Sequence, residues 1–121
     1  MIRHIVLLQI ASHVAESDID AMLKQLEQAA LTTPGMMAFC GGAKLSSSGL
    51  AQGFTHALNI DFVDELARDA YLAELDRDRT GKRLSDMTEG GLGGILIMNI
   101  NIDDIKTPDK TPDRKPQLRW V

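Results

Sequence analysis

The chain has 121 residues, of which 44% are hydrophobic and 25% charged, with three histidines and one cysteine. That is one domain's worth of chain, and its composition excludes both a disordered polymer and a membrane-spanning bundle. The formal net charge of −4 argues against nucleic acid or an anionic membrane surface as a partner, and a lone Cys40 supplies neither an intrachain disulfide nor a zinc site.

Ile2 to Ile10 is apolar at nearly every position and rich in β-branched residues, the pattern of a strand buried on both faces. Gln9 interrupts the run and Ala11-Ser12-His13 makes a poor cleavage site, so the expectation is a first strand in a cytoplasmic protein, not an export signal. Ser17 offers an N-cap, and Ile19, Met22, Leu23, Leu26 and Ala30 recur at helical spacing over 18–31. Thr33-Pro34-Gly35 stops that helix. Met36 to Ser46 reads as a second strand in which Gly41-Gly42 invites a bulge, and Ser46-Ser47-Ser48-Gly49 returns the chain as a hairpin.

The third strand is the clearest. Phe54, His56, Leu58, Ile60 and Phe62 fall on one face, with Thr55, Ala57, Asn59 and Asp61 on the other. Asp64 caps a short helix with Leu66, Ala70 and Tyr71 on one side, and a polar helix over 75–88 is anchored by Leu75, Leu84 and Met87. Gly90 to Gly94 ends it, and Ile95 to Ile102 forms a fourth strand that is again apolar on both faces. Residues 103–121, with Pro108, Pro112 and Pro116, read as a Pro-rich charged tail, in which Leu118 and Trp120 are the groups able to dock.

The order strand, helix, strand, strand, helix, strand predicts an α+β ferredoxin-like β-α-β-β-α-β subunit, its helices on one face of a four-stranded antiparallel sheet. Helices cover only one face, yet the first and fourth strands are apolar on both, so a second chain is expected to cover the other. This reading takes the first and third strands as parallel neighbours, which brings His4 and His56 together at one end of an apolar face.

The blocks Met1-Ile2-Arg3-His4-Ile5-Val6-Leu7, Pro34-Gly35, Gly53-Phe54-Thr55-His56-Ala57-Leu58 to Asp61-Phe62, and Ala70-Tyr71-Leu72 resemble the stress-responsive A/B-barrel (Dabb) family over residues 1–102. The resemblance implies a homodimeric α+β barrel and no single activity: some members are stress-induced stable proteins, and a few plant members cyclise polyketides by an aldol step. In those cyclases two strand histidines, a helix tyrosine and a His-Pro-x-His stretch line the site. His4, His56 and Tyr71 match, but Glu74-Leu75-Asp76-Arg77 stands where the His-Pro-x-His stretch belongs. Arginine stays protonated near neutrality, so the cyclase loses its base and the resemblance carries as far as a pocket.

The expected site is therefore a small, mainly apolar pocket for an organic ligand, oriented by His4, His56 and Tyr71, with Arg77 at its mouth to hold an anionic group. No cofactor is expected, and two histidines without a carboxylate leave a transition metal under-ligated. Whether there is catalysis stays open: a cofactor-free cyclase or small oxygenase needs a base, for which His56 and Asp76 are the candidates, with Tyr71 a weaker catalytic candidate. A structural, stress-stable dimer is the third reading. His13 reads as a loop residue and Cys40 as a small buried hydrophobe. Gly90-Gly91-Leu92-Gly93-Gly94 lies before a strand, the reverse of a phosphate-binding loop.

Overall fold

The computed structural model describes residues 1–45, 49–103 and 105–108. Strand β1 (Ile2–Leu8) buries His4, Val6 and Leu8 and leaves the residues between them half-buried, the alternation of a central strand. It ends before Ile10, which makes only an isolated bridge to Thr88. Helix α1 (Glu16–Leu31) buries Ile19, Met22, Leu26 and Ala30. Ser17 lies inside this helix and not at its cap. The cap position is Ala15, which supplies no side-chain bond, while Glu16 and Asp18 place negative charge on the first turn. Gly35, at φ +90°, ends the turn after α1 where an added Cβ would lie 2.8 Å from both Ala67 Cβ and Val63 Cγ1; its carbonyl accepts the Val63 N–H at 2.8 Å.

Strand β2 (Met36–Ala43) pairs antiparallel with β3 (His56–Phe62), and the register shift falls between Met36 and Ala38. Gly41 and Gly42 stay in register opposite Leu58 and Ala57. A Cβ on Gly41 would sit 3.0 Å from Leu58 Cβ, so this glycine answers a close approach of two strands and makes no bulge. The expected turn at Ser46-Ser47-Ser48 lies outside the described residues.

Helix α2 (Glu65–Arg77) is capped by Asp64, whose carboxylate accepts the Ala67 N–H at 2.9 Å. Its buried stripe is Ala67, Tyr71 and Leu75, one residue round from the expected face, and Leu66 is 78% exposed. The predicted helix over 75–88 is two pieces. Arg79 adopts φ +63°, and α3 (Thr80–Asp86) starts where the Asp78 carboxylate accepts from Thr80 N–H at 2.9 Å and Thr80 Oγ1–H at 2.6 Å. A 3-10 turn (Gly91–Gly94) leads into β4 (Ile95–Asn101). Residues 105–108 are neither helix nor strand; Leu118 and Trp120, expected as docking groups, lie outside the described residues.

The sheet order is β2-β3-β1-β4, and every neighbouring pair is antiparallel. This is the ferredoxin-like arrangement, and it corrects one expectation: β3 runs antiparallel to β1, because it is inserted between the two parallel strands β1 and β2. The core is built between one sheet face and the helices, from Val6, Leu8, Leu58, Ile60 and Phe62 below and Met22, Leu26, Tyr71, Leu75 and Leu84 above. On the other face Leu7 pairs with Leu96, Ile5 with Met98 and Arg3 with Ile100. Met98 there is 55% exposed and Leu96 45%, so this apolar face is open in the isolated subunit.

Candidate functional site: an apolar cavity lined by His4 and Tyr71

Between the helix-covered face of the sheet and α1, α2 and α3 lies a cavity of about 490 Å³. Val6 and Leu58 form its floor, Leu26, Tyr71, Leu72, Leu75 and Leu84 its wall, and Leu92, Ile95 and Ile97 the side towards the edge strand β4. Asp76, Gly81, Lys82 and Ser85 add the polar part of the lining. Its volume and its apolar walls with few convergent polar groups are those of a site for a small organic molecule.

His4 is 2% exposed and stands opposite Ile60 on β3 and Asn99 on β4. Its Nδ1 lies 2.8 Å from Asn99 Oδ1. A carboxamide oxygen accepts, so Nδ1 carries the proton and Nε2 is left as a bare acceptor. Burial lowers the His4 pKa, and the nearby Arg68 guanidinium lowers it further, while the bond to Asn99 opposes them. The ring is therefore neutral at pH 7. It meets Tyr71 edge-on at 6.2 Å between ring centroids and Phe62 at 6.4 Å.

Tyr71 is 1% exposed, and burial pushes its phenol pKa well above the usual value, so it stays a protonated donor. Among the described residues no side-chain nitrogen or oxygen is both sealed off and unpaired. His4 Nε2 and the Tyr71 hydroxyl make no hydrogen bond among the described residues, so both keep accessible surface, and both side chains line the cavity. This is a pair of polar atoms facing an apolar chamber with no partner of their own.

The other expected site residues are elsewhere. His56 lies opposite Leu8, four register positions from His4, a separation of about 13 Å along the strands. The strand directions leave no room for the two histidines to meet. His56 Nδ1 bonds Thr55 Oγ1 at 2.8 Å and lines a separate hollow of about 240 Å³ with Leu7, Phe54 and Ala57. Arg77 is exposed, pairs with Glu74 at 2.6 Å and lies outside the cavity lining. The cation in that lining is Lys82, in the first turn of α3, itself 2.6 Å from Asp86. His13 lies in the turn before α1 and borders a groove with Asp18, Arg83 and Asp86. Cys40 is exposed, not buried, because β2 is an edge strand and places it on the open face opposite Asn59. Among the described residues no three His, Cys, Asp or Glu side chains gather as metal ligands.

Asn99 is the site residue that sequence reasoning missed. The available signal was parity: Ile95, Ile97 and Asn99 share one face of β4, and an amide in such a row marks a polar partner across the sheet.

No curated protein matches the chain by sequence. Solved structures of the same fold do. A dimeric ferredoxin-like protein from Jannaschia sp. CCS1 is similar at TM-score 0.74 and 24% identity, over 84% of this chain and 98% of that one. The hydroxynitrile lyase of Passiflora edulis aligns at TM-score 0.72 and 21% identity, over 88% of this chain and 96% of its own. A cofactor-independent oxygenase from Streptomyces nogalater aligns at TM-score 0.65 and 10% identity, over 86% and 94%. At these identities the likeness shows the fold alone. The model of the stress responsive A/B barrel domain matches residues 2–100, all but the last residue of the sheet, and the chain belongs to that family.

Proposed function

We propose that this protein binds a small, mainly apolar organic molecule in the cavity over His4 and Tyr71, and that it does so as a homodimer. The observation that carries the reading is the pair of unpartnered polar atoms, His4 Nε2 and the Tyr71 hydroxyl, inside a chamber otherwise lined mainly by aliphatic side chains. Both atoms keep accessible surface and line the cavity, so a ligand seated there gains a hydrogen bond from each that the protein itself does not use. The homodimer is supported by the open face of Ile5, Leu7, Leu96, Met98 and Ile100, and by structural neighbours described as dimeric. The working unit is the domain of residues 1–102, with 103–121 an accessory arm. The setting is the cytoplasm, supported by a lone cysteine and by described helices too short or polar to span a membrane.

The neutral fluorescent probe N-phenyl-1-naphthylamine tests the reading. It is expected to bind one per subunit and to be displaced in Gly81→Trp, where an added side chain starts in open space beside the cavity. A chain that binds no probe is better treated as a structural, stress-stable dimer. Cofactor-free catalysis is a second reading, favoured by one placement: Asp76 lines the same cavity as Tyr71 and stands as a base where His56 does not. Two of the structural neighbours are a lyase and a cofactor-independent oxygenase. Turnover abolished in Asp76→Asn with ligand affinity retained would favour it.

A further inference from the structure

Building on the cavity reading, we propose that Asn99 is a positioning residue that selects the ligand class: a neutral, apolar molecule bearing a hydroxyl, in preference to a carboxylate. The amide oxygen of Asn99 takes the Nδ1–H of His4 at 2.8 Å, which leaves Nε2 bare and the imidazole an acceptor only. Tyr71, against the same ring, presents O–H. A ligand hydroxyl fits both, donating to Nε2 and accepting from the phenol. A carboxylate meets a lone pair at Nε2, and the cations near it, Arg68 and Lys82, are already engaged by carboxylates of the chain. The groups around His4 are Phe62 from β3, Tyr71 and Arg68 from α2, and Asn99 from β4. Arg68 is held by Asp69 at 3.0 Å, and Lys82 in the lining by Asp86 at 2.6 Å. Asn99 is exposed on an edge strand, so changing it removes little packing.

Three shape-matched probes separate the possibilities at pH 7: 2-naphthol, 2-methylnaphthalene and 2-naphthoate. The wild-type chain is expected to bind 2-naphthol about 10- to 100-fold more tightly than 2-methylnaphthalene, the worth of two hydrogen bonds, and 2-naphthoate most weakly. In Asn99→Asp a carboxylate beside Nδ1 favours imidazolium, Nε2 becomes a donor, and the preference for naphthol over naphthoate shrinks or inverts. Nitrogen-15 spectra of the His4 ring give a readout that packing alone does not move. They should show the neutral Nδ1–H tautomer in the wild type and a shift towards Nε2–H in Asn99→Leu. Equal binding of naphthol and methylnaphthalene, or a wild-type ring protonated at Nε2, overturns the proposal while leaving the cavity intact. If none of the three probes binds, the cavity reading itself falls and this inference with it. Should the variants fail to fold, the wild-type spectrum and affinities still decide.

Discussion

At the scale of single residues, His4 and Tyr71 give the cavity two of its polar groups. His4 has its pKa lowered chiefly by burial, so the folded state resists the proton that the unfolded chain accepts near the model value of about 6.5. The His4 contribution to stability is therefore fully present above that value and is lost as pH falls towards its depressed folded pKa. The unfolding free energy of the wild type should fall through that acidic window more than that of His4→Phe, as denaturant titrations at a series of pH values will show; parallel curves would contradict it. Tyr71→Phe removes a hydroxyl that makes no hydrogen bond among the described residues. Stability is expected to stay within about 0.5 kcal/mol of wild type while 2-naphthol binding weakens about 3- to 10-fold, since only the ligand used that group. His56→Phe serves as the control, expected to leave affinity unchanged because His56 lies in a different hollow. The sequence placed His4 and Tyr71 on inward faces through their spacing alone. It misjudged His56 because strand direction, which decides whether two residues on one face lie near or far, leaves no mark on alternation.

The elements are held by a few local devices, and these were unevenly legible. Asp64 was readable as a cap, and its bond to the Ala67 N–H predicts that Asp64→Ala costs about 1 kcal/mol, measured by chemical denaturation. Gly35→Ala should cost more, about 1–3 kcal/mol, because φ +90° strains any side chain and its Cβ would meet Ala67 and Val63 at 2.8 Å. A Gly35→Ala protein as stable as wild type would contradict the tight joint between the end of α1 and the start of α2. The face of α2 was misread by one residue, since Leu66 is apolar yet exposed while the small Ala67 fits against that joint. The break between α2 and α3 was hidden because Asp78, Arg79 and Thr80 are all polar. Only the Asp78 side chain folding back on Thr80 reveals that a new helix begins there.

For the whole molecule, the sequence already carried the main demand: β1 and β4 are apolar on both faces, and helices cover one. The structure answers with an open face on which the bidentate pair of Arg3 and Asp61, at 2.8 and 3.0 Å, satisfies the charges and leaves the aliphatic side chains ready for a second sheet. A homodimer burying more than about 1,000 Å² is expected at micromolar concentration. Met98→Lys, which sets a charge at the centre of that face, should drive it to monomers in sedimentation velocity. Truncation after Asp103 removes no residue of the sheet and is expected to leave folding and the dimer intact; a large loss of dimer stability would show that the arm takes part in the interface.

The most direct measurement of the central claim is a titration of methyl-labelled protein with 2-naphthol followed by NMR. Saturable shifts are expected in Val6, Leu26, Leu58, Leu75 and Ile97, the methyls around the cavity, with Ile5, Leu7 and Ile100 of the open face unmoved. Shifts confined to the open face, or no saturable shift at all, would contradict it.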